Sequence, residues 1–314
     1  MGVAASHRTS ITLAALIAIG LAALVRPKPK EPKPERSLPL ESWVEVSKPP
    51  LSPPPPAPEP KPKSKRGRRR FGKILIGLGI VLMAYSGAIV FWGDPATALY
   101  ANWKQHQLDG QLDNAFASYA STVDLTPPPR VDERPLTNQE IAEYQRLRVA
   151  AAANKLNGHM KMGKALGRIT IPRMDVNAIF VQGTRWGPDL SQGPGHYPQS
   201  SLPGVGRTMA IAAHRTTFGA WFRHIDSLKA GDRVTIKLPY ATFEYRVFGH
   251  KIVDNGDWSV IRDRGFDTLV LSACHPLYSA SHRWIVFAAL YRVDPVKGTS
   301  YLVDRRNRVR PLDF

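Results

Sequence analysis

Three residues in the C-terminal half of the chain have the types that thiol chemistry requires. Cys274, the only cysteine among 314 residues, ends an apolar run, His214 follows an earlier run, and Arg283 opens a later one. A cysteine attacks a carbonyl as thiolate and needs a partner, such as an imidazole, to take its proton. The attack forms an oxyanion, which a guanidinium stabilises. The spacing predicts an acyl-transfer site.

Residue types alone leave other roles open for Cys274. An unpaired cysteine packs well as a small buried hydrophobe. A zinc site with nearby histidines is disfavoured, because closed zinc sites need four well-spaced ligands and a single cysteine is present. The same count excludes a disulfide within the chain.

Short β-type runs separated by turn residues begin at Ala165, and they must position the three residues. The segments between these runs are too short for the crossover helices that a parallel α/β sheet needs. The predicted fold class is therefore all-β, as a closed barrel or a sandwich. The predicted strands are 167–171, 176–182, 208–213, 233–238, 242–253, 268–273 and 284–293.

Two helical segments are predicted before the β region. Apolar residues recur at helical spacing from Leu99 to Tyr119, and Pro127–Pro129 ends that helix. Thr137-Asn-Gln-Glu140 has the capping-box form, which predicts a second helix that runs to about Asn157. We expect residues 94–163 to form a juxtamembrane stalk or packing elements without chemistry.

The uncharged run from Ile74 to Trp92 is 19 residues long, enough to span a bilayer core with little tilt. The basic cluster Lys65–Arg70 precedes it, and such clusters mark the cytoplasmic side of a span. We expect a transmembrane helix at 71–93 in the cell membrane, with the folded part outside the cytoplasm. The chain would be single-pass or two-pass, depending on the N-terminal segment.

The N-terminal 1–25 segment contains an uncharged run of 15 residues from Ile11 to Val25, which is short for a span. It fits a short first span, a signal-like segment or a start codon assigned too far upstream.

Residues 26–70 contain 14 of the 28 prolines and 13 Lys/Arg against 5 Asp/Glu. They predict a disordered, extended basic linker. Because the densest charge abuts a predicted span, a membrane flank explains the net charge of +18 more simply than nucleic acid.

Four ordered motifs give the chain a specific resemblance. Over roughly residues 164–294 it resembles a sortase, and most closely the class E type of high-GC Gram-positive bacteria. We therefore expect residues 164–314 to be the catalytic domain with a basic C-terminal tail. The motifs are Gly193-Pro-Gly-His-Tyr-Pro198, Ala210-Ile-Ala-Ala-His-Arg-Thr-Thr-Phe-Gly219, Ile225-Asp-Ser-Leu-Lys-Ala-Gly-Asp232 and Leu271-Ser-Ala-Cys-His-Pro276 with Arg283-Trp-Ile-Val-Phe287.

The resemblance implies a fold, three residue roles and a reaction. The fold would be an eight-stranded closed β-barrel. Cys274 would be the nucleophile, His214 the proton donor and acceptor, and Arg283 the group that positions the sorting signal and stabilises the oxyanion. The enzyme would cleave a Leu-Pro-X-Thr-Gly-like signal, or the Leu-Ala-X-Thr-Gly variant of class E, between Thr and Gly through a thioester.

The resemblance also implies partners. These are surface proteins that carry the signal, and either an amine of a cell wall precursor or a pilin lysine that resolves the thioester. No metal, organic cofactor or nucleic acid is implied.

One residue departs from the family pattern, which has a threonine directly before the cysteine. Ala273 occupies that position, and we expect the loss of a hydroxyl that could contact substrate. Of the other histidines, His196 is predicted to pin a loop, while His275 and His282 flank the site and are expected to tune it at most.

Two rival interpretations remain. An L,D-transpeptidase also uses Cys, His and Arg, but its Ser-His-Gly-Cys-type sequence is absent, and a papain-like protease would place its Cys before the His. A non-catalytic membrane-tethered barrel that binds wall polymer or a partner protein is supported by Ala273 alone. In that case Cys274 should be buried and slow to react.

Overall fold

The computed structural model of the chain describes residues 65–92, 94–122 and 134–312. The N-terminal hydrophobic run, nearly all of the proline-rich linker and the three prolines at 127–129 lie outside the described residues, so the interpretations of those segments stay predictions.

Among the described residues, three helices precede the β region: α1 (Lys65–Trp92), α2 (Pro95–Thr122) and α3 (Asn138–Asn157). The capping box before α3 is formed. The Thr137 side chain accepts from the Glu140 N–H, and the Glu140 carboxylate accepts the Thr137 N–H at 2.8 Å. The helix predicted from these four residues is thereby confirmed, including its end at Asn157.

Ten strands follow, and eight of them close into a barrel in the order β8-β6-β5-β1-β2-β3-β4-β7, with β7 paired back to β8. Neighbours are antiparallel except for the parallel pairs β2–β3 and β4–β7. The predicted eight-stranded closed barrel is therefore confirmed. The strands are β1 (Ala165–Ile171), β2 (Val176–Gln182), β3 (Gly195–His196), β4 (Thr208–Ala212), β5 (Arg233–Lys237), β6 (Ala241–Asp254), β7 (Thr268–His275), β8 (His282–Pro295), β9 (Tyr301–Val303) and β10 (Val309–Pro311).

Side chains of each strand alternate between the barrel interior and its outer face. On β7, Leu269, Leu271 and Ala273 belong to the main interior core. Val270 instead packs on the outer face with Ile285 of β8 and the segment that follows β6. The alternation decides which face of the barrel each site residue can reach.

Helices α2 and α3 pack against the barrel. Leu108 and Leu112 of α2 are buried with Ile179 and Val181 of β2. Burying such side chains stabilises a fold by about 1.5–3 kcal/mol each. The helices therefore have the packing role, the second of the two roles that the sequence allowed. From α3, the main core receives Ala142, Val149 and Ala153.

Helix α1 is long and apolar enough to cross a membrane. The stretch from Arg69 to Phe91 has 23 residues and a mean hydropathy of 2.4, and none of its apolar window is buried in the protein. Within the described ranges it is the single helix with these properties.

The C-terminal residues differ from the expected free tail. Strand β9 pairs with both β8 and β10, so residues 301–311 form a hairpin on the barrel. Val309 is buried, and the Arg308 guanidinium bonds the Asp304 carboxylate at 2.7 Å. Arginines dominate the turn between β9 and β10, and each of these strands has only three residues, too few to show a periodicity in the sequence.

Candidate active site

The barrel closure brings the three predicted site residues together. Cys274 and Arg283 are directly opposed in the antiparallel pair of β7 and β8, so their side chains share one face. In the parallel pair of β4 and β7, Ala212 opposes Ser272. The Ala213 N–H donates to the Ser272 carbonyl at 3.2 Å, so the chain stays next to β7 as it enters His214, on the side of Cys274 opposite β8. The cysteine therefore lies between the histidine and the arginine on the outer face.

Cys274 is half-buried, in contrast to the fully buried residues that precede it on β7. A cysteine that served only as a small core hydrophobe would point into the barrel. Its partial exposure agrees better with a reacting thiol.

Ala273 points the other way from Cys274. It is 2% exposed and belongs to the interior core, opposite Trp284 of β8. A threonine here would place its hydroxyl in the barrel interior. Consecutive strand residues face opposite sides of a sheet, so this position argues against the expected contact between the missing hydroxyl and substrate, which stays a prediction.

His214 is buried, and its Nε2 has no hydrogen-bond partner within the described part of the chain. Burial lowers the pKa of His214 from 6.5, and a backbone hydrogen bond with Trp186 partly opposes this effect. The imidazole is therefore mainly neutral at neutral pH, and its Nε2 is available for a proton. Phe218 and Trp186 shield the ring, with centroids 5.5 and 6.3 Å away.

The Arg283 guanidinium is held from one side. Its Nη1 donates to the carbonyls of Ala280 and His282, both at 3.0 Å. Its Nε and Nη2 have no acceptor among the described residues, so they can donate to a group bound beside Cys274. A fixed cation with free donors at this place can stabilise a developing oxyanion.

A shallow depression adjoins Arg283 on the outer face of β7 and β8. The segment 255–261, between β6 and β7, forms its far wall. It encloses about 30 Å³, well below the roughly 300–1,000 Å³ of a preformed ligand pocket, so it offers a side-chain-sized recess beside the site. Its lining comprises Tyr197, Val253, Asn255, Asp257, Trp258, Val260, Ile261, Ser272, Arg283 and Ile285.

Arg215 is a site residue that the sequence did not reveal. Its side chain is 2% exposed, and Nη2 bonds Asp226 at 2.7 Å and the Arg223 carbonyl at 3.0 Å. Its Nη1 donates to the Cys274 carbonyl at 3.4 Å. Arg215 thus ties the loop that carries His214 to the backbone of the cysteine. The available signal was its place directly after His214, but nothing local showed that it was buried.

The loop after His214 is strained. Phe218, Gly219 and Ala220 all have left-handed φ angles, of 49°, 81° and 46°. Such a conformation costs roughly 1–2 kcal/mol for each residue other than glycine. A Cβ on Gly219 would also lie 2.9 Å from the Trp221 ring. This loop conformation places the Phe218 ring 5.5 Å from the His214 ring, between centroids.

The remaining histidines have structural surroundings. His196 is buried, with Nδ1 2.7 Å from Gln182 Oε1 and Nε2 3.1 Å from Ser200 Oγ, so it pins the following loop as predicted. His282 lies 3.5 Å from the Asp254 carboxylate. His275 contacts Trp284 at 5.4 Å between ring centroids. Within residues 65–312 as described, no cluster of three or more His, Cys, Asp or Glu could hold a metal ion.

Comparisons with known proteins identify the family of the chain. The sortase domain model matches residues 169–291. Sortase D of Bacillus subtilis is 32% identical over 140 residues, which cover 43% of this chain and 69% of that protein. The chain therefore belongs to the sortase family, whose members are transpeptidases.

Other similar proteins are also sortases. A sortase E1 of Streptomyces coelicolor is 24% identical over 153 residues, which cover 44% of each protein. The solved sortase E of Streptomyces avermitilis is 30% identical with a TM-score of 0.39, covering 44% of this chain and 94% of that one. The structure of sortase E1 from Streptomyces coelicolor with a tripeptide in its active site is 22% identical with a TM-score of 0.41, covering 42% and 91%.

Proposed function

We propose that the chain is a membrane-anchored sortase that cleaves a Leu-Pro-X-Thr-Gly or Leu-Ala-X-Thr-Gly signal between Thr and Gly and transfers the protein to an amine. The observation that carries this proposal is the position of Cys274, half-buried at the end of β7, opposite Arg283 of β8 and next to the chain segment that leads into His214. Family membership supports the same reaction class.

In the first half-reaction, the Cys274 sulfur forms a bond to the threonine carbonyl carbon, and its proton passes to His214. Positioned proton transfer of this kind contributes about 10²–10⁴-fold to a rate. The carbonyl oxygen becomes an oxyanion, which Arg283 stabilises. Collapse breaks the peptide bond, and His214 returns the proton to the departing glycine amine. The product is a thioester on Cys274.

In the second half-reaction, an incoming amine attacks the thioester and gives its proton to His214. The C–S bond breaks, the thiol takes up the proton, and a new amide forms. The neutral imidazole favoured by burial can accept the proton in both steps. We propose a cell wall precursor or a pilin lysine as the source of this amine, and class E as the type of sortase.

Helix α1 supports a location at the cell membrane. Its mean hydropathy of 2.4 suits a lipid environment, and arginines precede its apolar part. We propose that its N-terminus faces the cytoplasm and that the barrel lies outside, where protein substrates and wall precursors meet.

Mass spectrometry on the full chain in detergent micelles tests the activity. The full chain is required because α2 and α3 contribute core residues that a fragment starting at Ala165 would lose. Peptides with each signal are incubated with and without a small amine. We expect a thioester on Cys274, cleavage between Thr and Gly, and incorporation of the amine. Cys274→Ala, with the same unfolding temperature, should give none of these.

The rival interpretations predict different outcomes. A folded protein that forms no thioester with either peptide, and whose Cys274 reacts slowly with a thiol probe, would support a non-catalytic binding role. Turnover of wall peptides without either signal would support an L,D-transpeptidase-like activity.

A further inference from the structure

The end of α1 is bonded directly to the loops that frame the candidate active site. Tyr278, in the loop between Cys274 and Arg283, donates its hydroxyl to the carbonyls of Ile89 and Val90 at 2.8 and 2.9 Å. Arg223, from the loop after β4, donates to the Val90 carbonyl at 2.7 Å. The last carbonyls of a helix lack partners within it, so these two side chains cap the span.

The start of α2 is bonded to the same loops. These loops, together with Trp186 of the loop after β2, are called the site rim here. The Asp94 N–H donates to the Thr216 carbonyl at 3.1 Å. The Phe218 N–H donates to the Thr97 hydroxyl at 2.8 Å. The site rim, the end of α1 and the first turn of α2 are thus joined by five hydrogen bonds, and the rim lies where the span ends.

Exposed apolar side chains lie near the end of the span, on the first turns of α2 and on the site rim. Leu99 and Trp103, one turn apart on α2, are 74% and 54% exposed, and Trp186 on the rim is 70% exposed. Beyond Trp103, the described side chains of α2 include no exposed large hydrophobic residue. At 1.5 Å per residue, Trp103 lies no more than about 12 Å from the start of α2. The headgroup region of a bilayer is roughly 5–8 Å thick. Leu99, about 6 Å along α2 from its start, therefore lies at the headgroup level, and Trp103 reaches that level when α2 is inclined to the bilayer normal.

Aromatic contacts connect this surface to the site. Trp186 contacts Phe218 at 6.2 Å, Phe218 contacts Tyr100 at 6.2 Å, and Tyr100 contacts Trp103 at 6.0 Å between ring centroids. Lys104 lies over the Trp103 ring at 4.8 Å. Tryptophan and tyrosine with a neighbouring lysine are the residues enriched where proteins meet lipid headgroups.

We propose that the active-site rim rests on the lipid surface through Leu99, Trp103 and Trp186, so that the sortase acts on partners presented at the membrane. This inference rests on the membrane anchoring proposed above. A lipid surface fits better than a soluble partner because the surface adjoins the span and because the exposed large apolar side chains on the described part of α2 end at Trp103, about two turns into the helix.

Depth measurements with single cysteines test this contact. Cys274→Ala removes the native thiol from the full chain, and a fluorescent label is then attached to a cysteine at 99, 103 or 186. The protein is reconstituted in vesicles of phosphatidylcholine and phosphatidylglycerol, with or without lipids that carry a nitroxide quencher. Leu82→Cys in α1 reports insertion. Leu147→Cys on α3, 57% exposed, is the matched control away from the rim.

We expect at least twofold quenching at 99, 103 and 186, as at 82, and little at 147. Quenching at 82 combined with values at the three rim sites equal to that at 147 would overturn the inference while leaving the anchoring intact. Absence of quenching at 82 would overturn both. Concentration-dependent self-quenching at the rim without lipid quenching would instead assign this surface to a second copy of the chain.

An activity measurement gives a second, independent readout. The double variant Leu99→Ser/Trp103→Ser should keep its rate with a soluble signal peptide and a soluble amine. With an amine carried on a lipid in the same vesicles, we expect its rate to fall about tenfold, whereas Leu147→Ser should not change it. Equal rates for the double variant and the wild type on the lipid-borne amine would contradict the inference even if the transpeptidase activity is present.

Discussion

The two ends of strand β7 differ in how completely their polar groups are hydrogen-bonded. The end at Asp267 is called the sealed end here, and the end at Cys274 the open end. Asp267, directly before the strand, is 5% exposed, and its two carboxylate oxygens accept N–H groups of Gly204 and Gly206 at 2.9 and 3.0 Å. At the other end, Cys274 is half-buried and the buried Nε2 of His214 has no partner within the described residues. The strand carries a satisfied polar group at one end and unsatisfied groups at the other.

This difference separates stability from reactivity. Leaving a buried polar atom without a partner costs about 1–3 kcal/mol, and the left-handed residues near His214 add strain. The sealed end offsets such costs, because Asp267 ties the loop at 204–206 to β7 and its N–H also bonds Asn307 of the C-terminal hairpin at 3.1 Å. Changes at the open end should therefore alter rates, and changes at the sealed end should alter unfolding.

The largest effect is expected at Arg283. Arg283→Ala removes the fixed donors beside Cys274 and should lower kcat/KM for a signal peptide by about 10²–10³-fold. The unfolding temperature should change little, because the side chain bonds only the nearby carbonyls of Ala280 and His282. Arg292→Ala, at another part-exposed arginine of β8, is the matched control and should retain the wild-type rate. Equal losses in the two variants would contradict a specific role for Arg283.

Two buried groups outside the candidate active site, Asp267 and His196, give opposite pH dependences of stability. Burial raises the pKa of Asp267 to about 6, above 3.8 when unfolded, so the folded state binds more protons and stability falls as pH rises through that window. Burial lowers the pKa of His196 to about 4, below 6.5 when unfolded, so stability rises with pH between those values. Each contribution is at most about 3 kcal/mol.

Thermal unfolding of the full chain in detergent micelles from pH 4 to pH 7 tests this opposition. Relative to the wild type, Asp267→Asn should gain stability as pH rises, and His196→Gln should lose it. Activity per folded molecule should remain unchanged for Asp267→Asn. Parallel pH curves for the wild type and both variants would show that neither group titrates as assigned.

Changes at Arg215 should alter both the rate and the unfolding temperature, because this side chain is buried and is also bonded to the Cys274 carbonyl. Arg215→Met should lower kcat more than tenfold with a smaller change in KM, because the His214 loop loses its tie to the Cys274 carbonyl. Arg215→Lys can keep the ion pair with Asp226 but cannot bond all its acceptors. It should restore the unfolding temperature more than kcat. Full recovery of kcat in Arg215→Lys would show that Arg215 acts only through its structural ion pair with Asp226.

The sequence predicted local elements well and long-range ones less well. The bounds of β2 follow from a short run of β-type residues between turn residues, and those of α3 from a capping box and the glycine after Asn157; all of these are local patterns. The parallel pairing of β4 with β7, which keeps the chain next to β7 as it enters His214, joins segments far apart in sequence and could be expected only from the family resemblance. The two-residue strand β3 has no periodicity to detect. The burial of Arg215 likewise depends on tertiary contacts.

The position of Ala273 could have been read from alternation, and it gives a smaller prediction. Ala273→Thr adds a methyl and a hydroxyl to the barrel interior, so stability should fall by about 1–2 kcal/mol through overpacking. The ratio of kcat/KM between Leu-Ala-X-Thr-Gly and Leu-Pro-X-Thr-Gly peptides should not change. A changed ratio would show that residue 273 reaches the substrate.

The smallest effect is expected from the shield around His214. Protonation of Nε2 blocks proton acceptance, so kcat/KM should fall as pH decreases through the lowered pKa of His214, below 6.5. Phe218→Ala exposes the ring to water, which weakens the desolvation that lowers this pKa. The acidic limb of the pH profile should then move up by a fraction of a pH unit, towards 6.5. Phe116→Ala on α2 is a ring deletion away from the site and should leave the limb in place. A limb that stays fixed in Phe218→Ala would mean that a group other than His214 controls it.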